Sequence, residues 1–341
     1  MSNDHHNNES KMQAKVLIED EKEFNVLVDN HETRTSTGDE YIYESYKSYK
    51  EYPNSKYILT EDKITVDGVT CYRIKAIRNI NTLFGVVAKG SLGGYVESER
   101  NLSKDEECWI FDNAKVTGDA RVSNFAIVRN DAHICGQVSI WDAVHISDDA
   151  YICDSVRISG SARISGKPYI GGSVIINHSP SISGTPYIYD NASIFGSPVI
   201  RGSVLIYGFA CIYSNAIISG SACVCGDSMV GGDTFILDDA YVNCNDRTII
   251  TGYVNSNAVI KRPEDIIHIA PFLSGKKSLT AFRNSSKEIR IVIKEIEAAP
   301  EEEFRGNLDE FIKFFKESKF SPELIEKYKT AVKFINIALV G

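Results

Sequence analysis

The chain has 341 residues, a formal charge of −9 and a pI near 5.4. That acidity argues against an unaided grip on nucleic-acid phosphates or anionic lipid. No window approaches ~18 apolar residues, and the first ten residues, MSNDHHNNES, carry no apolar signal core; a cytoplasmic protein with no membrane segment is the expectation.

Residues 1–14 are polar and aperiodic, so they read as a disordered tail, with His5 and His6 solvated rather than metal-bound. Residues 15–55 alternate weakly and then become Tyr- and Lys-rich, which suggests a small strand-containing extension. Residues 56–107 form a β cap. In it YILTEDKITV and VTCYRIKAI flank Asp67-Gly68, a dipeptide suited to a tight hairpin turn. A Gly-rich lead-in follows, where Gly90, Gly93 and Gly94 are expected to break regular structure.

From Ile110, every sixth residue is Ile or Val for 23 consecutive positions, ending at Val242; Thr248 breaks the count, and Val254 and Ile260 resume it. Two residues before each such core position sits a compact residue such as Ala114, Ala120 or Val138. Two residues after it sits a turn former such as Asp112, Gly118 or Asn124. A period of six preserves strand parity, so the core position and its compact neighbour both point inward. Residues 108–262 therefore predict a triangular, left-handed parallel β-helix with three sides to an 18-residue coil, between eight and nine coils by slot count and about eight complete ones. Pro168 and Pro186, and likewise Pro180 and Pro198, repeat at that spacing of 18 in the compact slot, which independently supports three sides.

Residues 263–341 lose the period and read as an α/β cap over the open end of the solenoid. SLTAFRN and KEIRIVIKEIEA are expected strands. NLDEFIKFFKES and SPELIEKYKTAVKFINIAL are expected helices, the second with Ser321 as N-cap, Pro322 in its first turn, and an apolar stripe of Leu324, Ile325, Tyr328, Val332, Ile335 and Leu339.

The segment VAKGSLGGYVESERNLS, followed by CWIFDNAKVTGDARV, resembles the start of the solenoid in prophage-encoded and enterobacterial β-helix proteins of the YdcK type. Val87, Gly90, Gly93, Gly94, Tyr95 and Val96 match the first motif, and Cys108, Trp109, Ile110 and Asp112 the second, with Phe111 in place of Tyr. The resemblance spans roughly residues 56–341. It implies the β-helix architecture and brings an acetyltransferase label that rests on the repeat alone.

Candidate chemistry is sparse. The eight cysteines lack zinc spacing and are expected to be reduced thiols, with no metal site. If the chain were an acyltransferase using acetyl-CoA, its base would come from His133, His145 or His178. The register points the first two outward on different sides and leaves the third at a corner. No insertion interrupts the hexads to build a pocket, so catalysis is not the leading expectation and no cofactor is assigned.

One side of the prism gathers Tyr151, Tyr169, Tyr187, Tyr189, Tyr207 and Tyr241, with Leu205, Cys135, Cys153 and Cys225 among them. Tyrosine offers amphipathic contact area at low entropic cost. The leading functional expectation is thus a non-enzymatic interaction or assembly scaffold; the resemblance implies phage origin and a host protein as its target. Its partner is another protein or a further copy in a dimer or trimer, with no nucleic acid and no membrane. Another side carries Arg129, Arg163 and Arg201 amid Ser147, Ser165, Ser181, Ser183 and Ser219, more simply a solvated face than an anion site. The corner carboxylates Asp112, Asp142, Asp148, Asp154, Asp190 and Asp238 are scattered over three corners, which argues against an acidic rod that mimics DNA.

Overall fold

A computed structural model describes residues 55–245, 247–255, 257–272, 277–295, 302–317 and 321–340. The expected tail and the extension up to residue 54 lie outside them. The period of six becomes a parallel β-solenoid of three sides. The first side runs from Lys115–Val116 to Val259–Ile260 and the second from Arg121–Val122 to Ile249–Ile250. The third runs from Trp109–Ile110 to Tyr253–Val254.

The solenoid has about nine turns, more than the eight complete ones expected, because it opens upstream of Cys108. Tyr95 pairs in parallel with Lys115, and Leu102 bridges Val122. Both steps are twenty residues instead of eighteen, which hides this turn from a strict count of sixes. At the other end the slot missed by Thr248 is filled by Ile250, which pairs with Val230 after the same twenty-residue step. The chain makes up the difference at the next corner, and Val254 returns to register with Ile236.

The core positions from Ile110 to Ile260 that hold Ile or Val are buried to 0–1 % exposure. Each such side chain removed from water contributes roughly 1.5–3 kcal/mol, so the stacked column is the main source of stability. The hydrogen-bond ladder explains which residues the flanking slots accept. Tyr151 N–H donates to the Pro168 carbonyl and Cys153 N–H to the Ile170 carbonyl, each at 2.9 Å. Donors thus come from the residues just before and just after a core position. The compact slot supplies a carbonyl to this ladder and no N–H, so proline there sacrifices no ladder bond, only the corner bond that Ala114 N–H makes to the Phe111 carbonyl at its own slot.

The corners adopt the left-handed backbone region, as at Asp142 (φ 61°), Asp154 (φ 64°) and Gly172 (φ 72°), which Asp, Asn and Gly tolerate best. Their carboxylates also stitch turn to turn. Asp142, Asp148, Asp154 and Asp190 accept the N–H of Gly160, Gly166, Gly172 and Gly208, one turn further on, at 2.7–3.1 Å. The corner acids therefore have a structural task.

Both ends of the solenoid are covered. β1 (Tyr57–Val66) and β2 (Val69–Ala76) form the hairpin over Asp67-Gly68, and a second small hairpin joins β3 (Ile80–Thr82) to β4 (Gly85–Val87). β5 (Leu92–Val96) then pairs antiparallel with β2 and parallel with Lys115–Val116, making the cap continuous with the first side. Gly93 and Gly94 lie inside β5 and are buried, contrary to the expectation that they interrupt regular structure. A Cβ on Gly94 would sit 2.4 Å from the Ala114 carbonyl oxygen, and one on Gly93 2.6 Å from that of Ile110. These glycines permit close backbone approach within a strand. Lys56 Nζ is buried and donates to the Glu106 carbonyl and, at 3.2 Å, to Cys108 Sγ. Tyr57 Oη donates to the Leu102 carbonyl at 2.9 Å.

At the far end four antiparallel strands form a sheet, two more than expected: Ile266–Phe272 and Glu302–Asn307 flank Lys277–Arg283 and Ile289–Glu295. Strand alternation gives this sheet two faces. Phe282 and Val292 join the solenoid core, while Leu279, Ala281, Ile291 and Ile293 pack with Phe311 of α1 (Leu308–Glu317) and with Tyr328 and Ile335 of α2 (Pro322–Ile335). Asn307 and Glu310 form a reciprocal capping box at the start of α1, each side chain accepting the other's N–H at 2.8 Å. Among the described residues no helix is long and apolar enough to cross a membrane.

The account predicts opposite outcomes for two glycines. Gly94→Ala should lower stability by about 1–3 kcal/mol through overpacking at the first turn. Gly232→Asn should cost under about 1 kcal/mol, because that corner (φ 63°) has nothing within 4 Å of a new Cβ and Asn tolerates the left-handed region. Thermal denaturation of the two variants checks both values.

Candidate functional site

The six tyrosines all lie on the first side, in two parallel rows that flank the buried core column. Tyr151, Tyr169, Tyr187 and Tyr241 occupy the row just before it; Tyr189 and Tyr207 occupy the row just after it. In-register stacking at the turn spacing brings ring faces together. Tyr151 and Tyr169 stack with centroids 5.7 Å apart and planes 13° apart. Tyr169 and Tyr187 repeat this at 5.7 Å and 24°, and Tyr189 and Tyr207 lie nearly parallel at 5.2 Å and 3°. His133 continues the first row downward, edge-on to Tyr151 at 5.2 Å.

The two rows are complementary in size. The thiol of Cys135 donates to Tyr151 Oη and that of Cys153 to Tyr169 Oη, both at 3.5 Å. Gly171 leaves space beside Tyr169, since a Cβ there would lie 3.0 Å from its phenol oxygen. Cys225 approaches Tyr241 Oη at 3.9 Å, and Asn243 Nδ2 donates to the same oxygen at 2.8 Å. Each of Tyr151, Tyr169 and Tyr241 thus leans across the core column toward a cysteine sixteen residues upstream. That offset is legible in the sequence once three sides are assumed, although the column order alone does not show that the cysteines meet the phenols.

Charge is absent from the middle of this side. Among its outward strand positions, none of the fourteen from His133 to Asn243 is Asp, Glu, Lys or Arg, in a chain that is 24 % charged. Lys115 and Lys261 bound the strip. Tyr151 is 36 % exposed and Tyr187 55 %, so the stacked rings remain open to solvent while the Tyr151 and Tyr169 phenols are held by cysteine thiols.

The three candidate histidines are not brought together. His133 is on the first side, its Nε2 3.2 Å from Thr117 Oγ1. His145 is on the third side, 4.5 Å from the Phe84 ring at the tip of the β3–β4 hairpin. His178 is an exposed corner residue with φ 69°. Burial lowers the basicity of His133 and of His145, the latter helped by the nearby Arg129 and Arg163. Among the described residues no group of three or more His, Cys, Asp or Glu is placed to hold a metal.

Burial pushes the Cys153 thiol up to about 11 and, with help from Cys225, the Cys223 thiol up to about 12. The contact with Cys153, and then burial, pushes the Tyr169 phenol up to about 12. A raised thiol value in the folded state means that folding favours the protonated form. Its stabilisation is present below the unfolded value near 9.0 and is lost as pH rises through the folded value. The unfolding temperature should therefore fall between about pH 9 and about pH 11. Alkylation of Cys153 near pH 8 should be about tenfold or more slower than that of a peptide cysteine. Peptide-like reactivity would contradict the packing described.

No known protein-family model matches the chain, and no curated protein matches it.

Proposed function

We propose that the chain is a non-enzymatic interaction scaffold that engages a protein through the tyrosine side of its solenoid. The uncharged strip from His133 to Asn243 carries this reading. It combines the two traits that mark the centre of protein interfaces, enrichment in tyrosine and depletion of charge. Its rings are already stacked on a rigid sheet and need little ordering on contact, which favours affinity by preorganisation. The partner is another protein or a second copy of the chain, giving a dimer or trimer. The resemblance to prophage-encoded solenoids supports a cytoplasmic role in which phage-derived protein acts on a host protein.

The competing reading is an acyltransferase using acetyl-CoA. It draws less support, because His133, His145 and His178 occupy three separate surfaces and share no cleft. Acetyl-CoA should accordingly leave the unfolding temperature unchanged; a saturable rise would favour the enzyme.

The binding reading predicts that Tyr169→Ser combined with Tyr187→Ser retains the β-solenoid circular-dichroism spectrum. The double variant should weaken partner capture, or self-association measured by light scattering, by about tenfold or more. Ile175→Ser, at a similarly exposed position on the second side, should change neither. Unaltered capture and unaltered oligomer size in the double variant would sink the proposal.

A further inference from the structure

The third side carries a separate feature, independent of the tyrosine strip. Its outward strand positions include three charged residues, Arg129, Arg163 and Arg201, all of one sign in an acidic chain. None of the three makes an ion pair or side-chain hydrogen bond among the described residues. At the lower end of this side the β3–β4 hairpin folds over the sheet and leaves a cleft of about 200 Å³. Phe84, Val87, Phe111 and Ile127 supply apolar walls, and Arg129 and Asp112 are the charged groups that line it. Phe84 also covers His145, whose Nε2 is buried without a hydrogen-bond partner.

Arg129 is half-buried beside these apolar walls, and arginine offers five N–H donors in a planar fork suited to a carboxylate or phosphate. Two observations choose between these. The Asp112 carboxyl group stands at the wall, where its Oδ2 accepts the Asn130 N–H at 3.0 Å, and disfavours a doubly charged ligand over a singly charged one. The aromatic and aliphatic walls favour burial of a flat apolar body over a bare inorganic ion. The volume lies below the usual ~300–1,000 Å³ of ligand pockets, which restricts the occupant to a small molecule.

We propose that this cleft binds a small monocarboxylate with a flat apolar body, the carboxylate paired with Arg129 and the body held between the hairpin residue Phe84 and the solenoid residues Phe111 and Ile127. Arg163, one turn beyond His145, adds long-range attraction for the anion. Burial and the two arginines disfavour charge on His145, whose ring lies tilted against that of Phe84.

Benzoate is the probe, with benzamide as its uncharged isostere and inorganic phosphate as the bare anion, each titrated calorimetrically into the full-length chain. Benzoate should bind saturably, benzamide at least tenfold more weakly, and phosphate without saturation in the same range. Arg129→Met should weaken benzoate at least tenfold, while Arg201→Met, higher on the same side, should leave it unchanged. Equal binding of benzoate and benzamide, saturation by phosphate as tight as by benzoate, no saturation by benzoate at millimolar concentration, or an Arg129→Met chain that binds like the parent would each overturn the assignment. The comparison of benzoate with benzamide on the unaltered chain stands even if the Arg129 variant fails to fold. The tyrosine double variant should bind benzoate normally, so this site and the interaction side fail or succeed separately.

Discussion

Everything in this molecule depends on the vertical bond between one turn and the next. Each side must place its donors under the acceptors of the following turn while its Ile or Val column stays out of water. A corner of two residues is the shortest device that meets both demands. That corner requires left-handed backbone at one residue, which favours Asp, Asn or Gly, with His178 and Ser214 as exceptions. Where Asp stands there, its carboxylate reaches the corner N–H eighteen residues on. Composition, period and hydrogen bonding are thus one constraint seen three ways. The surface between corners is free to vary, and the sides differ: one is tyrosine-rich and uncharged in its middle, and the other two have arginine as their charged residue, at Arg121 and Arg157 on one and at Arg129, Arg163 and Arg201 on the other.

A parallel stack creates a problem at each end, because the last turn exposes unpaired backbone and the apolar column. The chain solves it twice with different materials. At the start, β5 continues the first side and turns the ladder antiparallel through β2 and β1, with the buried Lys56 and Tyr57 tying the hairpin to the first turn. At the finish, a four-stranded sheet gives Phe282 and Val292 to the solenoid core and its other face to two helices. Tyr253 N–H donating to Thr280 Oγ1 at 2.9 Å shows side chain replacing ladder at this junction. The second core cluster, centred on Phe311 and Tyr328, is a consequence of covering the first.

The solenoid was legible because its constraint recurs every six residues and leaves a count that no other fold requires. The parts that escaped are those where one copy of a pattern must be recognised by itself. The opening turn was hidden by steps of twenty residues at Tyr95–Lys115 and Leu102–Val122. Gly93 and Gly94 looked like breakers because a glycine that admits a neighbouring backbone and one that makes a turn are identical in text. The outer strands of the C-terminal sheet, IIHIAPF and EEFRGN, carry Pro271 or Gly306 and have no repeat to flag them. In the candidate site the tyrosine column followed directly from the register. The cysteines that receive the phenols needed knowledge of how far each ring leans along the stack. The Phe84–His145 contact joins a hairpin to a side in a way no periodicity encodes.

The proposed function comes to a difference between sides: it makes the tyrosine strip the contact surface and assigns no such role to the others at that height. Ile175 and Tyr187, 43 % and 55 % exposed on the second and first sides, provide a matched comparison. Replacing each in turn by the photo-crosslinking residue benzoylphenylalanine and irradiating the chain in its host lysate measures this most directly. The account predicts a discrete covalent adduct from position 187, competed by unlabelled protein, and none from position 175. Equal adducts from both positions, adducts from 175 alone, or none from 187 would contradict it.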